Sequence, residues 1–189
     1  MLVESPSLDE SCLEQIEQKL LDSLLPFQKA GVLFGISRKG RVLIADDPGL
    51  GKTRQALGIA NYFKNLPVLI VTNASTREFW QDEIVKVLNV TEDAVCVLAK
   101  ESYWERADYI ICSYSSLDSN FIPLKSKNFG TIIFDESHHI KNQKAKQTMN
   151  AQKLSAGAKR VIMLTGTPAL SRPVELYPQL EILDGSIAG

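Results

Sequence analysis

The sequence is short of everything that would mark a secreted, membrane-spanning or strongly charged protein. Its three cysteines (Cys12, Cys96 and Cys112) are odd in number, widely spaced and set among apolar neighbours. That excludes a disulfide framework and points to buried thiols in a reducing compartment. No C-x-x-C pair is present, and the only histidines, His138 and His139, are adjacent rather than i,i+4, so no metal-ligand pattern arises from either residue type. No apolar run approaches the ~20 residues that a spanning helix needs, and no membrane is expected as a partner. The first residues, Met1-Leu2-Val3-Glu4, lack a basic stretch followed by an apolar one, so no secretory signal is expected and the chain reads as intracellular. Neither sign of charge is in excess: 21 Lys and Arg stand against 22 Asp and Glu. This balance excludes a free-standing polybasic binder, and any nucleic-acid contact must come from local geometry. Internal repeats, low-complexity tracts and coiled-coil heptads are missing as well.

What is present describes a soluble domain. Hydrophobic residues make up 44% and charged residues 23% of the 189, which excludes disorder as a global description. With domains of roughly 100–200 residues, the expectation is one domain and a short appendage. A chain of this length buries about 70% of its extended surface and needs no covalent or metal staple.

The hydrophobic pattern changes period along the chain. An amphipathic helix is expected first, with Ser7 and Glu10 as a capping box and Leu13, Ile16, Leu20 and Leu24 at helical spacing, ended by Pro26. A second short helix spans Gln28 to Ile36 and closes in the turn Ser37-Arg38-Lys39-Gly40. Six short β-rich runs follow, at 42–45, 68–71, 94–98, 109–112, 131–134 and 161–164. Most are continuous rather than alternating in polarity, the mark of strands covered on both faces. Helical patterns separate several of them, at Thr53 to Phe63 and at Ser75 to Leu88, where Ser75 and Glu78 form another capping-box signature. Leu117 to Gly130 is the least regular stretch and reads as a surface connection. The fold class is therefore α/β, a doubly wound, mostly parallel sheet flanked by helices. Residues 1–24 are expected as a helical extension, 25–183 as one lobe and 184–189 as a loose tail.

In such a sheet ligands bind beyond the carboxyl ends of the strands, so the residues that leave each strand matter most. After the first strand comes Asp46-Asp47-Pro48-Gly49-Leu50-Gly51-Lys52-Thr53, between a strand and a helix. This is the context of a phosphate loop, in which backbone N–H groups curl round an anion at a helix N-terminus. Lys52 would reach the β- and γ-phosphates of a nucleotide, and the Thr53 hydroxyl would ligate Mg²⁺. The strict G-x-x-x-x-G-K-[ST] pattern fails at its first position, which is Asp46. Asp135-Glu136 ends an apolar strand: Asp135 would hold Mg²⁺, and Glu136 would orient and deprotonate an attacking water. Other exits carry Thr72-Asn73-Ala74-Ser75, Ser113-Tyr114-Ser115-Ser116 and Thr165-Gly166-Thr167-Pro168. Their hydroxyls suit either phosphate contacts or helix caps. Trp80 and Trp104 read as packing residues rather than base-stacking ones.

Together these motifs resemble the Swi/Snf-type DNA-translocating ATPases of helicase superfamily two, in particular the annealing-helicase branch that remodels stalled replication forks. Leu24-Leu25-Pro26-Phe27-Gln28-Lys29-Ala30-Gly31-Val32 is similar to the Q-motif region. Asp46 to Thr53 is similar to D-E-M-G-L-G-K-T, and Asp135 to Asn142 to D-E-[AS]-H-x-x-K-N. Leu164 to Pro173 resembles motif III and its extension, with Glu175-Leu176-Tyr177 following. The resemblance runs from Leu24 to Leu183. It implies a RecA-like lobe that binds ATP and Mg²⁺, with DNA gripped independently of sequence and nuclear residence. It also implies that Gln28 recognises the adenine edge, and that Asp47, Pro48, Gly49, Leu50, Gly51, Lys52 and Thr53 form the nucleotide loop. Asp135 and Thr53 would hold the metal, with Glu136, Lys52 and His138 in the catalytic set and His138 relaying nucleotide state to Thr165 and Thr167. Thr72 to Ser75 would be motif Ia and Ser113 to Ser116 motif Ib.

Two substitutions depart from the family pattern. Pro48 stands where Met is usual, removing one N–H and leaving the phosphate donors to residues from Gly49 onward, so weakened binding is expected. Asn73 replaces a frequent proline. The family's second RecA-like lobe, with its arginine finger, is not contained in this sequence, so the lobe alone is expected to bind ATP weakly and to turn it over slowly. Two readings stay open: the ATP-binding lobe of a DNA translocase, or a non-hydrolysing module that binds nucleotide or a partner such as a full-length relative. A small-molecule kinase is disfavoured, because Gln28 and the Glu136-Ser137-His138 context have no task there.

Overall fold

Each apolar run becomes a strand of one sheet: β1 Arg41–Ile44, β2 Val68–Thr72, β3 Val95–Val97, β4 Tyr109–Ser113, β5 Thr131–Phe134 and β6 Arg160–Leu164. The computed structural model describes residues 10–98, 104–167 and 173–184. The strand order is β1-β6-β5-β2-β4-β3, and every pairing is parallel. Eight α-helices flank the sheet among the described residues: α1 Gln18–Ser23, α2 Pro26–Ser37, α3 Lys52–Phe63, α4 Arg77–Leu88, α5 Tyr114–Ser119, α6 Phe121–Ser126, α7 Lys146–Ser155 and α8 Tyr177–Leu183.

Successive strand residues point to opposite faces, and both faces are covered, which is why the runs are continuously apolar. Val68, Ile70, Ile111, Ile133 and Ile162 join Leu20, Val32, Leu57 and Ile84 of α1 to α4 in one core. Leu69, Ile110, Ile132, Phe134 and Met163 join Leu117, Leu124, Leu154 and Ile182 of α5 to α8 in the other. No helix among the described residues is long and apolar enough to cross a membrane.

Three expectations are corrected. The first amphipathic helix is two pieces, a 3-10 turn at Glu10–Gln15 and then α1, with Ser7 outside the described residues. Between them the Glu17 N–H donates to Asn61 Oδ1 of α3 at 2.8 Å, which ties the backbone to its neighbour instead of to its own helix. Leu13, Ile16, Leu20 and Leu24 are nevertheless buried in the first core. The Ser75–Glu78 capping box does not form: Ala74–Thr76 is a 3-10 turn, and α4 starts from Thr76 without a side-chain cap. The stretch taken for a surface connection is α5 and α6, and its Leu117 and Leu124 are fully buried. A spacing of seven residues, with Phe121 between, seats one side of both short helices on the sheet.

The strand order sets the order of the exits along the carboxyl edge. The loop after β1 lies beside Thr165–Thr167 after β6, followed by Asp135–His138 after β5, Thr72–Ser75 after β2 and Ser113–Ser116 after β4. Residues far apart in sequence thus meet on one edge.

Candidate functional site

The loop after β1 is shaped by two residues with positive φ, Gly49 at 85° and Gly51 at 72°. Side chains are disfavoured there. Gly51 caps α3, whose first N–H groups have no intrahelical partner and carry the positive end of the helix dipole. Pro48, Gly49 and Leu50 are exposed. Lys52 Nζ donates to the carbonyls of Asp46 at 2.8 Å and Asp47 at 3.1 Å, and so holds its own loop. Gln55 Nε2 secures the loop's start by donating to Asp46 Oδ2 at 2.7 Å.

Gln28 lies beneath this loop and is buried. Its Oε1 accepts from the Leu25 N–H at 2.9 Å and its Nε2 donates to the Leu50 carbonyl at 3.0 Å. A Cβ at Gly51 would run into Nε2, and the positive φ there independently favours glycine. An amide has two N–H groups and two lone pairs, and one of each is engaged here. Pro48 packs against the β6 exit: a Cβ at Gly166 would stand 2.9 Å from Pro48 Cγ. The ring that costs the loop one N–H therefore joins it to the neighbouring strand exit.

Asp135 is the most connected residue of the edge. Its N–H donates to the Val71 carbonyl at 2.8 Å, and its own carbonyl accepts from Tyr114 Oη at 2.7 Å. Oδ2 accepts from Thr72 Oγ1 at 2.7 Å and Trp80 Nε1 at 2.9 Å, and Oδ1 accepts from the Glu136 N–H at 3.0 Å. Burial, reinforced by the Asp135 carboxylate, pushes the Tyr114 phenol well above its ordinary range and keeps it a donor. Glu136 takes a left-handed conformation at φ 50°, a strained one for a residue with a Cβ. Its Oε2 lies 3.1 Å from His138 Nδ1, and the same nitrogen lies 3.4 Å from Thr165 Oγ1. Thr165 Oγ1 also accepts from the Thr167 N–H at 3.1 Å. Ser137, fully buried, donates to Gln179 Oε1 of α8 at 2.7 Å.

The sequence places most of these residues on the edge but not their contacts. Glu136, His138, Thr165 and Thr167 form one chain of polar contacts, and Gln28 meets the loop after β1 directly. The remainder of the motif III extension, Pro168 to Arg172, lies outside the described residues, as do Gly185 to Gly189. Of the hydroxyl exits, Ser113 is a helix cap: its Oγ accepts from the Ser116 N–H at 3.1 Å. Ser115 and Ser75 are exposed. Thr72 is fully buried and faces Asp135 rather than solvent. Trp80 packs in the core, as expected, but its bond to Asp135 has no local signature and spans 55 residues of sequence.

The donor set fits Mg²⁺ held with a nucleotide rather than in a protein cage. Among the described residues no group of three or more His, Cys, Asp or Glu is placed to hold a metal ion. A carboxylate offers about four lone-pair sites, and the contacts of Asp135 use three, two on Oδ2 and one on Oδ1. One lone pair of Oδ1 is left, enough for a single ligand bond, directly or through water. Mg²⁺ characteristically takes one or two carboxylates and completes its shell with phosphates and water.

Known proteins resemble this chain over most of its length. The model of the SNF2-related domain matches residues 27–189. The SWI/SNF-related matrix-associated actin-dependent regulator of chromatin subfamily A-like protein 1 of Drosophila melanogaster is 49% identical over 180 residues, 94% of this chain and 24% of that protein. The DNA annealing helicase and endonuclease ZRANB3 of Homo sapiens is 36% identical over 183 residues, 92% of this chain and 17% of that protein. The chain thus spans about a quarter or less of these curated relatives. Among solved structures, the Sulfolobus solfataricus SWI2/SNF2 ATPase core in complex with dsDNA superposes with a TM-score of 0.75 at 26% identity. That match covers 90% of this chain and 36% of the archaeal one. The Pyrococcus furiosus Hef helicase domain shares the fold, with a TM-score of 0.74 at 21% identity, covering 89% of this chain and 38% of that one.

Proposed function

The chain belongs to the SNF2-related family, and on that premise we propose that it is the ATP-binding lobe of an ATP-dependent DNA translocase of the annealing-helicase kind. Joined to a second RecA-like lobe, it moves on branched or forked duplex DNA without reading sequence, and it works in the nucleus. The observation that carries the reading is the adjacency, on one sheet edge, of a glycine-shaped loop with Lys52 and an acid pair wired to the neighbouring exits. The near-neutral charge agrees with DNA contacts made locally by the hydroxyl-bearing exits after β2 and β4.

The roles follow from position. Gln28 offers its second N–H and lone pair to the adenine edge. The N–H groups from Gly49 to Thr53 cradle the phosphates, and Lys52 exchanges the Asp46 and Asp47 carbonyls for phosphate oxygens. Thr53 and Asp135 hold Mg²⁺, which when bound supplies neutralisation of the phosphate charge. Glu136 orients the attacking water and takes its proton. His138, between Glu136 and Thr165, holds that carboxylate and links it to the β6 exit.

Hydrolysis by this chain, measured with and without forked DNA, tests the reading. Turnover by this lobe assayed alone is slow, because an arginine finger supplied from a second lobe is worth on the order of 10³–10⁵ in rate. DNA stimulates it, and Lys52→Ala or Glu136→Gln abolishes the stimulation. ATP binding without any turnover supports the non-hydrolysing regulatory module instead. Absence of ATP binding, or phosphate transfer to a metabolite, overturns the reading.

A further inference from the structure

We infer that Trp80 and Thr72 are positioning residues for the metal-holding carboxylate, fixing Asp135 so that a single lone pair of Oδ1 is left for Mg²⁺. The inference rests on the proposed nucleotide site. It starts from an arrangement that packing alone does not require. Trp80 lies in the first turn of α4 and is fully buried, and its one polar side-chain atom needs an acceptor. Many carbonyls would serve; the acceptor here is the Asp135 carboxylate at 2.9 Å. Thr72, the last residue of β2 and also fully buried, donates to the same oxygen at 2.7 Å. Because an ionised carboxylate only accepts, the Thr72 proton goes to Asp135. In the 2.7 Å Thr72–Thr76 contact the donor is then Thr76.

Two donors on Oδ2 have two consequences. They occupy both lone pairs of that oxygen and leave it no further acceptor capacity. They also fix the rotation of the carboxylate. With the backbone held at both ends, by Val71 and by Tyr114, no rotamer change is available that keeps these bonds. Oδ1, which accepts one backbone N–H, is therefore presented to the edge in one orientation. A ligating carboxylate oriented by outer hydrogen bonds binds metal more tightly, and removing such a partner typically costs about 10–100-fold in affinity. The unit that supplies the bonds, β2 to α4, carries the exit assigned to DNA contact, so a shift of that exit changes the grip on Asp135.

The test is a Mg²⁺ titration of the whole chain with a fluorescent, non-hydrolysable ATP analogue, in Thr72→Val and Trp80→Phe. Thr72→Val is close to isosteric, and Thr76 then donates to the Asn73 carbonyl it already approaches at 3.1 Å. Trp80→Phe keeps an aromatic ring in the core and removes the N–H. Each is expected to raise the Mg²⁺ midpoint about tenfold while analogue affinity in EDTA stays unchanged. A purely structural role would lower the melting temperature without moving that midpoint relative to metal-free binding. In wild type, Mg²⁺ with the analogue shifts the Trp80 indole N–H resonance and leaves that of Trp104 in place. An unchanged midpoint in folded Thr72→Val overturns the inference alone, whatever the stability of Trp80→Phe. A wild-type chain that binds no analogue at any Mg²⁺ concentration overturns the inference together with the nucleotide site.

Discussion

The turns after β1 and β5 face the same edge of the sheet and are held in opposite ways. Between β1 and α3, Pro48, Gly49 and Leu50 are exposed, and Lys52 bonds to the carbonyls of its own loop. After β5 the bonds run outward. Asp135 reaches Thr72, Trp80 and Tyr114, Ser137 reaches α8, and His138 reaches the exit of β6. On the proposed reading, the first turn trades internal bonds for those of a nucleotide. The second is built before any ligand arrives. An exposed hydrogen bond contributes about 1 kcal/mol and is readily exchanged. A buried and satisfied polar network loses more when one member is removed. On that reading, binding chemistry sits on the soft side and the metal and water geometry on the stiff side.

The contrast is broken most directly at Lys52. Lys52→Ala removes a cation that would meet phosphate through charge-assisted bonds, and nucleotide affinity is expected to fall about 100-fold. The melting temperature is expected to stay where it is, because the bonds lost are the loop's own. Calorimetric binding and a thermal scan on the same sample check both halves. A melting temperature that falls with the affinity would show that the loop is a stability element, and the contrast would be gone.

Ser137→Ala is the mirror experiment and a smaller effect. It removes a fully buried hydroxyl from Gln179 Oε1, which costs about 1–3 kcal/mol. At this chain length each kcal/mol lowers the melting temperature by about 2–4 °C. Nucleotide affinity measured at a temperature where the variant is folded is expected to be unchanged. Weaker binding with an unaltered melting temperature would reverse the assignment of soft and stiff sides.

What could be read from the residues divides along the same line. The strands were legible because burial on both faces leaves an unbroken apolar run, and the exits were legible because parallel strands put ligand chemistry at one end. Gly49, Gly51 and Lys52 announce themselves locally, since a loop that cradles an anion needs those residue types in that order. The stiff side does not. Thr72, Trp80 and Tyr114 meet Asp135 across 63, 55 and 21 residues, through side chains whose local patterns signal only core or cap. Helices α5 and α6 were hidden for a different reason: the serines of α5 and Pro123 in α6 imitate a loop, and only Leu117 and Leu124 betray the packed side. At α4 the Ser75–Glu78 pattern misled because the backbone spends those residues on a 3-10 turn before the helix begins.

The smallest effect concerns acid. The His139 ring lies against Tyr114 at 4.8 Å and His138 at 4.7 Å between centroids. Burial lowers its pKa from 6.5, and the His138 ring and Lys141 act in the same direction while Glu136 opposes them. The unfolded chain then binds a proton more readily than the folded one, so the neutral ring's contribution is complete above about 6.5 and is lost as pH falls through the depressed folded value. The loop from Asp46 to Thr53 holds no histidine. Denaturant midpoints at about pH 7.5 and pH 5.5 should therefore differ less in His139→Gln than in wild type. The change is expected to be modest, because His139 is exposed and its charge is screened by solvent. Equal pH differences in the two proteins would mean that the ring stack adds no acid sensitivity to the stiff side. The wiring of that side would then rest on Asp135, Ser137 and His138.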